Sequence, residues 1–174
     1  MLTDIRRTGR RLLIASATLT LAVATLGAQD SGIPIGTTAP GAAVETLDGR
    51  AADLRSVIGT KPVLIEFWAT WCGNCKALEP ALMAARTKYA DRVTFVGVAV
   101  SVNQSEERVR RYVARYMEGF IHFYDRRGHA VDAYDVPATS YVVVLDAGGK
   151  VVYTGVGGDQ DIDAAIARAF PATP

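Results

Sequence analysis

The sequence predicts an α/β layered domain with a mixed sheet. Three observations carry this. Short apolar runs of strand length alternate with segments of helical spacing. Two of those runs, "KPVLIEFWA" and "VTFVGVAV", are apolar almost throughout, as strands covered on both faces are. The chain then closes with two strands joined at a Gly-containing turn, followed by a helix.

The elements follow in order. "AAVETLDGRAADLRSVIG" reads as a short strand pair turned at Asp48-Gly49, then one helical turn. The run to Ala69 is a strand broken only by Glu66. From Cys72 to about Ala90, Leu78, Leu82, Met83, Ala85 and Tyr89 recur at helical spacing, and Pro80 inside that pattern is expected to kink it. Val93–Val100 is a second buried strand. Ser105 caps an amphipathic helix reaching Met117, with Glu106 and Glu107 complementing its N-terminus. "FIHFYD" is a strand and "GHAVDAYDV" a short helix ending near Val136. "SYVVVLD" and "KVVYTGV" form the hairpin, and "DQDIDAAIARAF" closes the chain. The domain is placed at residues 41–171. Gln29–Pro40, rich in Gly, Pro and Thr, reads as a linker.

Residues 1–28 are of another kind. Arg6, Arg7, Arg10 and Arg11 precede the uncharged run Leu12–Ala28. A basic start, an apolar middle and small residues at the end read as an export signal, with cleavage after Ala24 or Ala28. The alternative is an uncleaved membrane anchor. The formal charge of +1 rests on those arginines, because from Gln29 onward 15 basic residues face 17 acidic ones, a balance of −2. Nothing in that balance calls for nucleic acid. The expected location is outside the cytoplasm, periplasmic or anchored facing the periplasm, with the membrane touched only through an uncleaved N-terminal segment.

An oxidising compartment permits disulfides, yet the chain has only Cys72 and Cys75. A bridge between them closes so short a loop that it adds little stability. The pair is therefore expected to serve chemistry. Cys72-Gly73-Asn74-Cys75 lies between a strand and a helix, so Cys72 falls at a helix N-terminus, where unpaired N–H groups favour a thiolate. Cys72 is the expected exposed nucleophile and Cys75 the buried partner that resolves a mixed disulfide. Gly73 leaves the approach open. Half of a zinc site is the competing reading, but no further cysteine exists, and His122 and His129 stand alone in the sequence.

Glu66 is the expected proton carrier. A carboxyl in a buried strand has a raised pKa, and the strand delivers it beneath the cysteines. Glu79, one turn after Cys75, is a second candidate acid or a solvated charge. Trp71 is expected to shield the pair, Trp68 to pack, and Lys76 to be solvated.

"VLIEFWATWCGNCKALEP" resembles the active-site segment of the thioredoxin superfamily. "IGTTAPGAAVETLDGR", the added helix and strand Ser105–Tyr124, and "YDVPATSYVVVLDAGGKVVYTGVGG" are similar to the exported TlpA/ResA-like thiol-disulfide oxidoreductases, over about Gly36–Phe170. The resemblance implies a thioredoxin-like fold with an N-terminal β-hairpin and a central helix-strand insertion. It implies a protein-disulfide reductase or electron-transfer enzyme with no prosthetic group. The implied partners are exported thiol or disulfide proteins, apocytochrome c among them, and an electron donor in the membrane. Trp71, Gly73, Asn74, Thr139 and Ser140 are the implied substrate-docking residues.

Three positions depart from the pattern. Leu78 stands where the family commonly has an acid, and Glu79 follows one residue later, as in the C-terminal domain of DsbD. Glu66 occupies a strand position where these relatives often carry Asn, and an acid there is closer to thioredoxin itself. The superfamily's cis-proline position falls on Ser140, or on Pro137 in a shifted register. A cis bond before serine costs about 3 kcal/mol, so the Thr139–Ser140 bond is expected to be trans, with the Ser140 N–H and hydroxyl free for a thiolate or substrate. Two other functions compete. One is a disulfide-forming oxidase, disfavoured because Gly-Asn supplies no cation. The other is a copper chaperone using both cysteines and one histidine.

Overall fold

A computed structural model describes residues 32–171. The arginine cluster, the run Leu12–Ala28 and both cleavage positions lie outside these residues. Among the described residues, no helix is long and apolar enough to cross a membrane.

Seven strands form one mixed sheet: β1 (Ala43–Thr46), β2 (Ala51–Asp53), β3 (Val63–Trp68), β4 (Thr94–Val100), β5 (Ile121–Asp125), β6 (Tyr141–Leu145) and β7 (Val151–Val156). Their order is β2-β1-β5-β4-β3-β6-β7. The central trio β5-β4-β3 is parallel, and the flanking pairs are antiparallel. The helices are α1 (Gly73–Tyr89), α2 (Glu106–Tyr116), α3 (His129–Ala133) and α4 (Ile162–Ala167). This is the thioredoxin-like α/β fold. The β1–β2 hairpin lies at its N-terminal edge, and α2–β5 is the insertion that places β5 between β1 and β4.

Local chemistry accounts for the boundaries. Gly49, at φ 85°, makes the first hairpin turn. Ser105 accepts a hydrogen bond from the Arg108 N–H and caps α2, as its sequence indicates. Asp146 accepts from the Gly148 and Lys150 N–H groups and shapes the β6–β7 turn. Pro80 lies within α1, and the helix continues across it to Tyr89.

Alternation along β3 splits the core in two. Val63, Ile65 and Phe67 join Val96, Val98, Val143 and Tyr134 on one face. Leu64 faces the other way, against Leu78 and Leu82 of α1 and Ile162 and Ile166 of α4. Trp68 lies on that second face with Cys72, Cys75 and Val109 of α2.

The stretch expected as a linker is docked over its described part. Ile33 and Ala39 are buried, and Ile33 N–H donates to the carbonyl of Tyr134. Gly36 N–H donates to Val151, and Ala39 N–H to Gly149. The folded unit therefore begins by Ile33 rather than at Gly41. The Gly and Pro residues turn the chain along the sheet edge, and two apolar anchors fix it there.

Candidate active site

Cys72 is the N-cap of α1. Its backbone is extended (φ −75°, ψ 116°), and its Sγ accepts the Cys75 N–H at 3.0 Å. A sulfur in this position takes the place of a capping oxygen, and any negative charge on it is favoured by the helix N-terminus. Cys72 and Cys75 form a disulfide with Cα atoms 5.3 Å apart. The expected contrast in exposure is absent: Cys72 is 4% exposed and Cys75 6%. In the disulfide form each sulfur covers the other, so what separates the two is the cap position and not accessibility.

Around the pair, Gly73 is open, since a side chain there would meet no atom within 4 Å. Asn74 is exposed. Trp71 is 42% exposed, and its indole N–H donates to the Val102 carbonyl at 2.7 Å, which holds the ring at the rim. Gln104 was not legible from sequence. Its side chain accepts the Thr70 N–H at 2.9 Å and donates to Val100, fixing the loop just before Cys72. Gly158 was missed for the same reason. A Cβ there would stand 3.0 Å from the Asn74 carbonyl oxygen and 2.8 Å from the Ala77 Cβ, so glycine lets the segment after β7 lie against the first turn of α1.

Glu66 is 1% exposed. It lies on β3 between Leu64, which packs on Leu78, and Trp68, which packs with the cysteines. That places its carboxyl under the first turns of α1. Burial, with a smaller push from the charge of Glu79, raises its pKa to about 8. Glu79 is half-buried rather than solvated, and it accepts the Tyr112 hydroxyl at 2.8 Å. Burial and this hydrogen bond raise the Tyr112 pKa far above the ordinary phenol value.

No peptide bond among the described residues is cis, so the Thr139–Ser140 bond is trans. Ser140 has φ 65° and is fully buried. Its N–H donates to the Phe67 carbonyl at 2.9 Å and its hydroxyl to the Gly157 carbonyl at 2.9 Å. Both groups expected to be free for a thiolate are thus spent inside the protein. Gln160 completes the knot by donating to the Ser140 and Gly157 carbonyls. Thr139 beside it is half-exposed, and Pro137 lies exposed in the loop.

The fold and site together define a thioredoxin-fold redox protein built on a cysteine pair at a helix N-terminus. The chain belongs to the Redoxin family, whose pattern matches residues 34–169. It is 34% identical to the thioredoxin-like protein YneN of Bacillus subtilis over 134 residues, 76% of this chain and 78% of that one. It is 31% identical to the thiol-disulfide oxidoreductase ResA of the same organism over 151 residues, 82% and 83% of the two chains. A secreted Mycobacterium tuberculosis disulfide oxidoreductase homologous to Escherichia coli DsbE superposes with a TM-score of 0.61 at 26% identity, covering 73% of this chain and 92% of that one.

Proposed function

We propose that this thiol-disulfide oxidoreductase is exported and acts on protein disulfides as a reductase or electron carrier. The observation that carries the reading is the Cys72 sulfur capping α1 and receiving the Cys75 N–H. In the reduced protein the Cys72 thiolate attacks a substrate disulfide. The substrate S–S bond breaks, a mixed disulfide forms, and one substrate thiolate leaves. Cys75 then gives up its proton and attacks Cys72 Sγ, closing the Cys72–Cys75 bond and releasing the second substrate thiolate.

Regeneration runs the other way. A donor thiolate attacks Cys72 Sγ and displaces Cys75; the donor's second thiolate then attacks the donor sulfur, closing the donor disulfide and releasing the Cys72 thiolate. In the first of these steps Cys75 leaves as a thiolate that needs a proton. Glu66, with its pKa at about 8, is mostly protonated at neutral pH and supplies it. The carboxylate left behind is the base for the next resolving step.

Export is supported by the N-terminal sequence and by the secreted M. tuberculosis relative. Among the described residues, no group of three or more His, Cys, Asp or Glu side chains is arranged to hold a metal ion, so nothing in the disulfide form favours the copper reading. The deciding experiment is the reduction potential of the Cys72–Cys75 couple. A value nearer thioredoxin's, about −270 mV, supports a reductase, and one near about −120 mV would make the protein an oxidase. The substrates themselves are tested by trapping: the Cys75→Ala protein should accumulate mixed disulfides with exported proteins through Cys72.

A further inference from the structure

Glu66, Gly97 and His122 form one row across the three parallel strands, Glu66 opposite Gly97 and Gly97 opposite His122. Residues in such a row share a face of the sheet. The middle position has no side chain. A Cβ placed on Gly97 would stand 2.6 Å from His122 Nδ1 and 3.0 Å from Trp68 Nε1. Both nitrogens therefore converge on the bare face of Gly97. Both are buried without a hydrogen-bond partner among the described residues, and so is Glu66 Oε1. Unsatisfied buried polar atoms are costly and uncommon. Three of them lie on one face, two at Gly97 and one on the residue paired with it, and one shared partner would satisfy all three.

The donor and acceptor roles identify it. The Trp68 indole can only donate. His122 Nε2 lies 3.0 Å from the Met117 carbonyl oxygen, which can only accept, so the ring proton sits on Nε2 and Nδ1 is an acceptor. Burial lowers the His122 pKa and keeps the ring neutral. Glu66 Oε1 is an acceptor as well. One donor and two acceptors match a single water, which accepts from Trp68 and donates to His122 and Glu66. Three hydrogen bonds are typical of a buried water.

We propose that Trp68, His122 and Glu66 hold a buried water over Gly97, and that through it His122 is a positioning residue for the Glu66 carboxyl. The functional consequence rests on the reading that Glu66 serves the cysteine pair. By donating to Oε1, the water favours the carboxylate and leaves Oε2 to carry the exchangeable proton. It opposes the effect of Glu79, whose charge favours the protonated form. The other titratable groups over this part of the face are Cys75 and Glu79 on α1 and Tyr112 on α2. The neighbours of Glu66 on β4 and β6, Gly97 and Val142, carry none.

The test uses the oxidised full-length chain. In the unmutated protein, NMR should show a long-lived water in contact with the Trp68 indole proton. Absence of that contact overturns the proposal, whatever the variants do. In His122→Phe, which keeps a ring but removes the acceptor, the Glu66 carboxyl titration followed by 13C shift should move upward by about one pH unit. His122→Asn, which restores an acceptor, should return it most of the way. An unchanged midpoint in folded His122→Phe would show that His122 does not act on Glu66. None of these readouts involves turnover. A chain that holds the water but exchanges no disulfides would sink the proposed function and leave this site standing.

Discussion

The two faces of β3 are built on opposite principles. On one, Phe67 is fully buried and lies 5.4 Å from the Tyr134 ring and 6.0 Å from the Tyr141 ring, centroid to centroid. The tyrosine hydroxyls there are satisfied: Tyr134 donates to the Pro40 carbonyl and Tyr141 accepts the Ile33 N–H. On the other face, one residue away, Glu66 Oε1, Trp68 Nε1 and His122 Nδ1 have no hydrogen-bond partner among the described protein groups. The same strand thus packs apolar side chains on both sides but buries an acid, the proposed proton carrier, on only one. A buried acid whose Oε1 has no protein partner among the described residues is left to solvent for its hydrogen bond, and its charge state is correspondingly open to change.

The largest break comes at the end of the functional face. Cys72→Ser should abolish disulfide exchange entirely while the fold persists, since the short Cys72–Cys75 loop adds little stability. Turnover of a model disulfide together with circular dichroism checks both halves. Substantial residual exchange would remove Cys72 as the nucleophile.

Glu66 provides the next test, and its sign is fixed by the direction of the shift. The folded protein holds a proton up to about pH 8, whereas the unfolded chain releases it near 4.5. Between those values the folded state binds more protons, so stability falls as pH rises. The contribution is fully present below about pH 4.5 and gone above about pH 8. At about 1.4 kcal/mol per pH unit, the loss across that interval is about 5 kcal/mol. Glu66→Gln should flatten this slope in denaturant titrations of the oxidised protein and slow regeneration by about 100-fold. A slope that survives the substitution would locate the buried proton elsewhere.

The opposite face should respond only in stability. Phe67→Ala should cost about 4 kcal/mol in denaturant unfolding, the range for a buried aromatic. Exchange per folded molecule should stay near that of the parent chain. A specific loss of exchange would mean that the two faces are mechanically coupled.

The difference between the faces was only partly legible in the sequence. The apolar run around Glu66, the turn at Asp48-Gly49, the Ser105 cap and the placement of Cys72 at a helix start are local signals, readable within a few residues. The row Glu66–Gly97–His122 depends on the register of three strands separated by helices, which no window of sequence contains. A lone histidine and a lone glycine therefore carried no signal of belonging together. The docking of residues 32–40 was hidden likewise, because Ile33 and Ala39 are anchored by strands and helices more than a hundred residues away. Gln104 and Gln160 are long-range staples of the same kind.

The smallest expected effect lies at the seam between the two faces. Ser140 donates its N–H to the carbonyl of Phe67 and its hydroxyl to the carbonyl of Gly157. Its φ of 65° is one that proline, locked near −65°, does not adopt. Ser140→Pro would therefore break both hydrogen bonds and the backbone conformation together, so it is a poor probe of substrate choice. Ser140→Ala is the sharper change. It removes one hydrogen bond, but the Gly157 carbonyl keeps the Gln160 amide at 2.8 Å. The cost should be about 1 kcal/mol. Ser140→Gly should be closer to neutral, because relief at positive φ offsets the lost hydroxyl. Comparing the denaturation midpoints of the two variants checks the balance. If Ser140→Gly is instead the more damaging, the left-handed conformation is not a strained point in this loop.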